Sequence, residues 1–241
     1  RVASGPRTSS RGQFLSSLHA GAPDAAVDAT RIVDEIDAET GLTRAAEGAA
    51  GVVVGRRVAG PDTWSRLGRV ARRLLRRLPA PVIVVPPELA RDEFAGPVLL
   101  ATDLTDRSVA AARFAAAFAR GLGRPLVCVH VGQPRWDEAY APLEPRWAEL
   151  RRRYREETER AARVWAGQHC PDAELACEYG DPIDRLPALV RRTRAGLMVV
   201  GSGRPGLAER FFAGSTASTL AALAPCAVAV VPRDAPAGEP V

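Results

Sequence analysis

The sequence contains no lysine, so all 33 of its basic residues are arginine. With 28 acidic residues the formal net charge is +5, and aromatic residues make up only 5 % of the chain. A nucleic-acid-binding surface typically combines clustered basic side chains with aromatic ones. Aromatic residues are few here, and the arginines at 151–155 are followed by Glu156, Glu157 and Glu159, which favours ion pairing along a helix. The arginine excess is typical of a GC-rich coding bias, and we expect no nucleic-acid partner.

Paired cysteines and long apolar runs are also lacking. The four cysteines form no C-x-x-C pair, and Cys128 and Cys226 stand in apolar runs, where a reduced cysteine acts as a small hydrophobe. No apolar run is long enough to cross a bilayer, and none has the form of a signal peptide. We therefore expect a cytoplasmic protein without membrane insertion by this chain. Its first residue is arginine rather than methionine, which is consistent with a fragment of a longer protein.

Groups typical of catalysis are sparse as well. The three histidines, His19, His130 and His169, do not have the spacing of a metal site. Ser215 has no identifiable His/Asp pair that would complete a hydrolase triad. The sequence therefore predicts no metal site and no catalytic residue, and we expect a protein that is not an enzyme.

Two stretches of the chain share one pattern. Residues 49–86 and 194–232 each contain a β-branched run ending in glycine, a second glycine thirteen residues later, a helical segment, and an apolar run ending in Val-Val-Pro. The offset of about 146 residues has the size of a domain. We interpret residues 1–92 as a truncated, degenerate first copy and residues 93–241 as a complete second copy.

Strands and helices alternate along both copies, which predicts βαβ units and the α/β class. In the second copy we expect strands at 97–102, 125–131, 173–178, 197–200 and 227–231, with helices at 106–123, 144–167, 182–194 and 215–223. In the first copy we expect strands near 30–35 and at 52–54 and 82–85, with helices at 38–49 and 64–78. The prediction is two Rossmann-like, doubly wound, five-stranded parallel sheets, of which the first is incomplete.

Candidate binding residues follow the strands of the second copy, where open parallel sheets bind ligands. They are Asp103, Val131 and the segments Gly201-Ser202-Gly203-Arg204-Pro205-Gly206 and Gly214-Ser215-Thr216. Glycines permit close backbone approach, and a helix start attracts anions, so a phosphate site is one interpretation. The alternative is that the glycines only form a loop and Ser215 only caps a helix. The pattern matches neither a P-loop nor a dinucleotide fingerprint.

Two segments give a more specific indication. VLLATDLTDRSVAAARFAAAFA, from Val98, and VVGSGRPGLAERFFAGSTAS, from Val199, resemble the first strand–helix unit and the nucleotide loop of the universal stress protein family. The resemblance implies an adenine nucleotide alpha hydrolase-like fold and a regulatory stress-response module that binds ATP or AMP, with Mg²⁺ accompanying ATP. A nucleotide-free dimerisation or interaction module and an adenine-nucleotide hydrolase are the alternatives.

The resemblance also implies roles for particular residues. Asp103 would lie beside the adenosine, and Val131 would offer main-chain contacts to adenine. Gly201 would start the nucleotide loop, which also contains Gly203 and Gly206. Gly214, Ser215 and Thr216 would hold the phosphates through N–H and hydroxyl groups. The second glycine of the family motif falls on Arg204, which would either crowd the ribose-phosphate or clamp it.

The last strands imply a pairing between the two copies. In the family these strands pair across a two-fold or pseudo-two-fold interface, and the segments PVIVVP (81–86) and AVAVVP (227–232) would be those edges. The implied assembly is a homodimer or an intramolecular pseudo-dimer. In the first copy, Gly68-Arg69 replaces the Gly-Ser pair, so we expect no nucleotide there.

Overall fold

The computed structural model describes residues 38–46, 49–56, 63–77, 80–89, 96–134, 145–202 and 215–235. The strands in these ranges are β1 Val52–Gly55, β2 Val82–Val85, β3 Val98–Thr102, β4 Leu126–Gly132, β5 Glu174–Tyr179, β6 Leu197–Ser202 and β7 Ala227–Pro232. The α-helices are α1 Ala38–Ala45, α2 Thr63–Arg77, α3 Val109–Gly121, α4 Pro145–His169, α5 Pro182–Thr193 and α6 Thr216–Leu223. The strand expected near residues 30–35 lies outside these ranges.

The α/β prediction is confirmed. The strands from both parts of the chain form one continuous sheet rather than two, in the order β1-β2-β7-β6-β3-β4-β5. Neighbouring strands are parallel except β2 and β7, which are antiparallel. The sheet is continuous because the two segments expected to be the pairing edges hydrogen-bond to each other directly.

The register of the β2–β7 junction is symmetric. Val82 pairs with Val230, Ile83 with Ala229, and Val84 with Val228. Adding 146 to a residue number in β2 gives the corresponding residue in β7, so Val82 corresponds to Val228 and Val84 to Val230. The pair Val82–Val230 is therefore the counterpart of the pair Val84–Val228, and Ile83 lies opposite its own counterpart, Ala229. The same offset carries the parallel pair Gly55–Val85 of β1 and β2 onto Gly201–Val231 of β6 and β7. Both pairs of strands therefore share one register.

Element boundaries differ from the predictions mainly at turns. The helix expected over 106–123 begins as a 3₁₀ turn, Asp106–Ser108, because the Thr105 side chain accepts a hydrogen bond from the Arg107 backbone N–H. The helix expected over 38–49 ends at Ala45. Helix α2 is interrupted at Gly68, whose φ of 67° and ψ of 168° are not helical.

Both faces of the sheet are covered. Alternation along the strands places Leu99, Met198 and Val228 on one face, beneath α2, α5 and α6. Leu100, Cys128, Val199 and Ala229 face the other way, beneath α3 and α4. Leu67 and Leu74 of α2 belong to the first cluster, so the N-terminal strands and helix share the core of the rest of the chain.

None of the helices in the described ranges is long and apolar enough to span a membrane.

Candidate functional site

A cavity of about 550 Å³ opens at the carboxyl ends of β3, β4 and β6. Strand β3 lies between β6 and β4. The next strands in sequence, β4 and β5, lie on one side of β3, and the later strands, β6 and β7, lie on its other side. Ligands of open α/β sheets bind at such a reversal of strand order. The topology therefore places the cavity where the sequence predicted a binding site.

Asp103 follows β3 and organises the turn that borders the cavity. Its Oδ1 accepts hydrogen bonds from the Thr105 N–H (3.0 Å), the Thr105 hydroxyl (2.7 Å) and the Ser108 hydroxyl (2.8 Å). Leu104, between them, has a φ of 60°, and its N–H donates to the Thr102 hydroxyl at 2.9 Å. The turn is thus fixed by hydroxyl groups, with one oxygen of the carboxylate at its centre.

These contacts keep Asp103 ionised. Burial raises the pKa of the carboxyl, but the hydrogen bonds from Thr105 and Ser108, with the charge of Arg107, outweigh it and lower the pKa below its ordinary value. A folded-state pKa below the unfolded one stabilises the fold above the unfolded pKa, and the contribution is lost as pH falls through the folded pKa. Near neutral pH, Asp103 therefore presents a negative charge at the cavity.

One end of the cavity is apolar and aromatic. Val131 at the end of β4 lines it together with Tyr154 of α4 and with Pro182 and Leu186 of α5. His130 lines the same region, and its Nδ1 lies 2.9 Å from the Thr102 carbonyl oxygen. Because a carbonyl only accepts, Nδ1 carries the proton in this bond.

The other end carries hydroxyl groups. Ser215 is the N-cap of α6, since its Oγ accepts from the Ser218 N–H at 3.2 Å. Thr216 begins the helix and is exposed. Ser202, at the end of β6, is only 2 % exposed, and its Oγ has no hydrogen-bond partner among the described residues. A buried hydroxyl without a partner is costly, so the Ser202 Oγ is a candidate donor or acceptor for a bound group.

Gly201 allows the Asp103 turn to pack against β6. A Cβ atom at this position would lie 2.9 Å from the Arg107 carbonyl oxygen and 3.4 Å from the Ser108 Cα. The glycine expected to start a nucleotide loop therefore has a second role, which is to bring the Arg107–Ser108 backbone close to the strand.

The variant Gly201→Ala is expected to lower the free energy of unfolding by about 1–3 kcal/mol, since the backbone of the turn must shift to admit the methyl group. Urea unfolding followed by circular dichroism measures the change. Gly167→Ala in α4 is the matched control, because a Cβ there meets nothing within 4 Å. This control should gain about 0.5–1 kcal/mol. Equal stability of Gly201→Ala and the wild type would contradict the packing role.

The structure brings five of the predicted site residues to this cavity, and their role in binding stays a prediction. They are Asp103, Val131, Gly201, Ser215 and Thr216. Gly203, Arg204, Gly206 and Gly214 lie outside the described residues. Sequence reasoning missed Arg107, Ser108, Gln133, Tyr154, Pro182 and Leu186 as lining residues. Ser202, which belongs to the candidate segment after β6, also lines the cavity, whereas nothing in the sequence connects Tyr154 to the site.

Metal-binding groups of the described residues are not clustered: no three or more His, Cys, Asp or Glu side chains are arranged to hold an ion.

Comparison with known proteins identifies the family. The profile of the Universal stress protein family matches residues 95–232, more than half of the chain. No curated protein sequence gives a significant match.

Two solved structures with TM-scores of 0.60 or more share the fold of this chain. A Pseudomonas aeruginosa protein assigned to the universal stress proteins is 18 % identical, with 96 % of this chain and 81 % of that one covered and a TM-score of 0.65. A universal stress protein from Archaeoglobus fulgidus is 18 % identical, with 96 % and 83 % covered and a TM-score of 0.60. Another from Archaeoglobus fulgidus, in complex with dAMP, is 20 % identical, with 56 % and 97 % covered and a TM-score of 0.37. The family profile covers the candidate site from Asp103 to Ser215, and the fold agrees with those of the two structures with the higher TM-scores. The chain therefore belongs to the universal stress protein family.

Proposed function

We propose that this protein is a cytoplasmic regulatory module that binds AMP or ATP in the cavity at the ends of β3, β4 and β6, without catalysing a reaction on the nucleotide. The observation that carries the proposal is the chemistry of the cavity, which is apolar and aromatic at one end and rich in hydroxyl groups at the other. Its volume of about 550 Å³ lies within the range of about 300–1,000 Å³ typical of small-molecule sites.

The apolar end suits the base. Val131 and Leu186 offer aliphatic surface and Tyr154 an aromatic ring to a flat purine. The backbone groups at the end of β4 are within the same region and could hydrogen-bond the edge of the base. Adenine is uncharged, so a mostly apolar environment with a few polar groups fits it.

The hydroxyl-rich end suits the phosphates. Helix α6 begins there with Ser215 and Thr216, and the amide groups of a helix start, with the helix dipole, attract anions. The Ser202 hydroxyl, which has no hydrogen-bond partner among the residues that the structure describes, lines the same cavity. Two strand spacings separate β4 from β6, about 10 Å, and a nucleoside can span such a distance. Mg²⁺ would accompany ATP on its phosphate oxygens.

Asp103 lies between the two ends and suits the ribose. Its three hydrogen bonds from the turn all end on Oδ1. No hydrogen bond to Oδ2 forms within the described ranges. A ribose hydroxyl that donated to this oxygen would form a charge-assisted bond, which is stronger than one between neutral groups.

The test is calorimetric titration of the full chain with AMP and with Mg·ATP. We expect saturable binding, and we expect Asp103→Asn to weaken it about 10-fold or more, the effect of losing a charged hydrogen bond. Asparagine can keep the Oδ1 acceptor of the turn, so the fold should survive. Asp172→Asn is the control, because this exposed residue precedes β5, at the opposite end of the sheet. Absence of binding at millimolar nucleotide would overturn the proposal.

We also propose that β1, β2 and α2 are the degenerate remainder of a first copy and form an intramolecular pseudo-dimer with the second. The symmetric register of β2 and β7 and the shared 146-residue offset support this arrangement. The first copy would bind no nucleotide in the same manner, since Arg69 stands at the position of Ser215 and follows the interruption of α2 at Gly68.

A further inference from the structure

Arg56 connects the N-terminal strands to the helix that begins at the cavity. It directly follows β1, and its side chain is only 7 % exposed. Its Nη1 donates hydrogen bonds to the carbonyl oxygens of Ala222 (2.8 Å) and Ala224 (2.9 Å), at the end of α6. The residues joined by these bonds are 166 and 168 positions apart in sequence.

These carbonyls need a partner from outside their own helix. The last four carbonyl groups of an α-helix have no partner within it, and Ala222 and Ala224 are 1 % and 0 % exposed, which excludes water. Helix α6 has no basic residue in its last turn. Arg56 supplies both the two donors and the positive charge that stabilises a helix C-terminus.

The contact is not a surface ion pair. Nη2 of Arg56 lies 3.5 Å from Oε2 of Glu88, but the Glu88 side chain is 61 % exposed, so this pair contributes little. The buried bonds to the two carbonyls are therefore stronger contacts than the pair with Glu88. Arg56 occupies the position that corresponds to Ser202 by the 146-residue offset, so the two copies use this position for different purposes.

We propose that Arg56 is a positioning residue that holds α6, including its first turn at the cavity, so that the N-terminal strands govern the affinity of the site. Helix α6 has eight residues and a length of about 12 Å. Its side chains Ala217 and Leu220 line the cavity. A short, packed helix moves as one unit, and a change at its last turn therefore reaches its first.

Two readouts test this role of Arg56, and only the second of them rests on the proposed function. The first readout is hydrogen exchange of α6 amides in the full chain, measured by mass spectrometry without ligand. The second is the dissociation constant for AMP. Arg56→Gln is expected to speed exchange across α6, including Ser218 and Thr219 of the first turn, about 10-fold or more. It should weaken AMP binding about 3- to 30-fold, with exchange in α3 unchanged.

The control is Glu88→Gln, which removes the exposed ion partner but leaves both carbonyl bonds. It should change neither readout by more than about 2-fold. If Arg56→Gln does not fold, Arg56→Lys carries the same test, because lysine keeps the charge but loses the forked geometry that reaches two carbonyls. The lysine variant should then show faster exchange across α6.

Two results would overturn the inference: unchanged exchange throughout α6, or faster exchange limited to the last turn with unchanged exchange at Ser218 and Thr219. If the wild-type chain binds no AMP, the proposed function fails, yet exchange at the first turn still decides whether Arg56 positions the helix.

Discussion

Leu74→Ala is expected to lower the free energy of unfolding of the whole protein by about 2–5 kcal/mol. Leu74 is 0 % exposed and belongs to the cluster that contains Leu220 of α6 and Val228 of β7. Its removal would leave a cavity between α2 and the face of the sheet that α6 also covers. Because the two parts of the chain share this core, the loss should appear in one cooperative transition rather than in a separate step.

Chemical unfolding followed by tryptophan fluorescence and by far-ultraviolet circular dichroism measures this effect. Leu122→Ala is the control, because Leu122 is 44 % exposed at the end of α3 and its truncation should cost about 0.5 kcal/mol or less. If Leu74→Ala weakened only an early, separate transition and left the main one unchanged, the N-terminal segment would be an independent unit. The shared core would then contribute nothing to the stability of residues 96–235.

The elements of the second copy could be predicted from sequence because their signals are strong. The continuous apolar run 97–102 reads as a strand covered on both sides, and β3 is such a strand, at Val98–Thr102. The long charged segment predicted as a helix over 144–167 is α4, Pro145–His169. Periodicity of this kind depends on local spacing, which the sequence shows directly.

Features that depend on contacts between distant residues were not predictable in the same way. Helix periodicity places Tyr154 on an apolar stripe, but only the packing of α4 beside β4 brings it to the cavity. Likewise, nothing in the sequence connects Arg56 with the end of α6, to which the structure shows it bound. The role of a side chain that contacts residues distant in sequence becomes visible only in the three-dimensional structure.

The site itself was predicted in part. Asp103 directly follows the first strand of the second copy, so the sequence predicts that it lies at the reversal of strand order. The structure places it there. Its network with Thr105 and Ser108 follows from a turn with a positive φ at Leu104, which sequence spacing does not reveal. Phosphate binding at Ser215 stays a prediction, because the N-cap bond to Ser218 satisfies the alternative interpretation equally well.

A chain shortened to residues 95–241 is expected to form a dimer through β7. In the full chain, β2 occupies the outer edge of β7. Its removal would expose a row of backbone donors and acceptors beside Val228, Ala229 and Val230, and such an edge pairs readily with another strand. Because the β2–β7 register is symmetric about Ile83 and Ala229, a second β7 could take the place of β2, with Ala229 opposite its own copy.

Light scattering after size-exclusion chromatography tests this prediction, with the full chain of 25.6 kDa as the control. The shortened chain should elute at twice its own mass, and the full chain should elute at its single-chain mass because β2 already covers the edge. Circular dichroism on the same fractions establishes that the shortened chain is folded. A folded, monomeric 95–241 segment would show that β7 does not need a partner strand. In that case the N-terminal strands would act on this protein through Arg56 and the shared core, and not by replacing the second subunit of a symmetric pair.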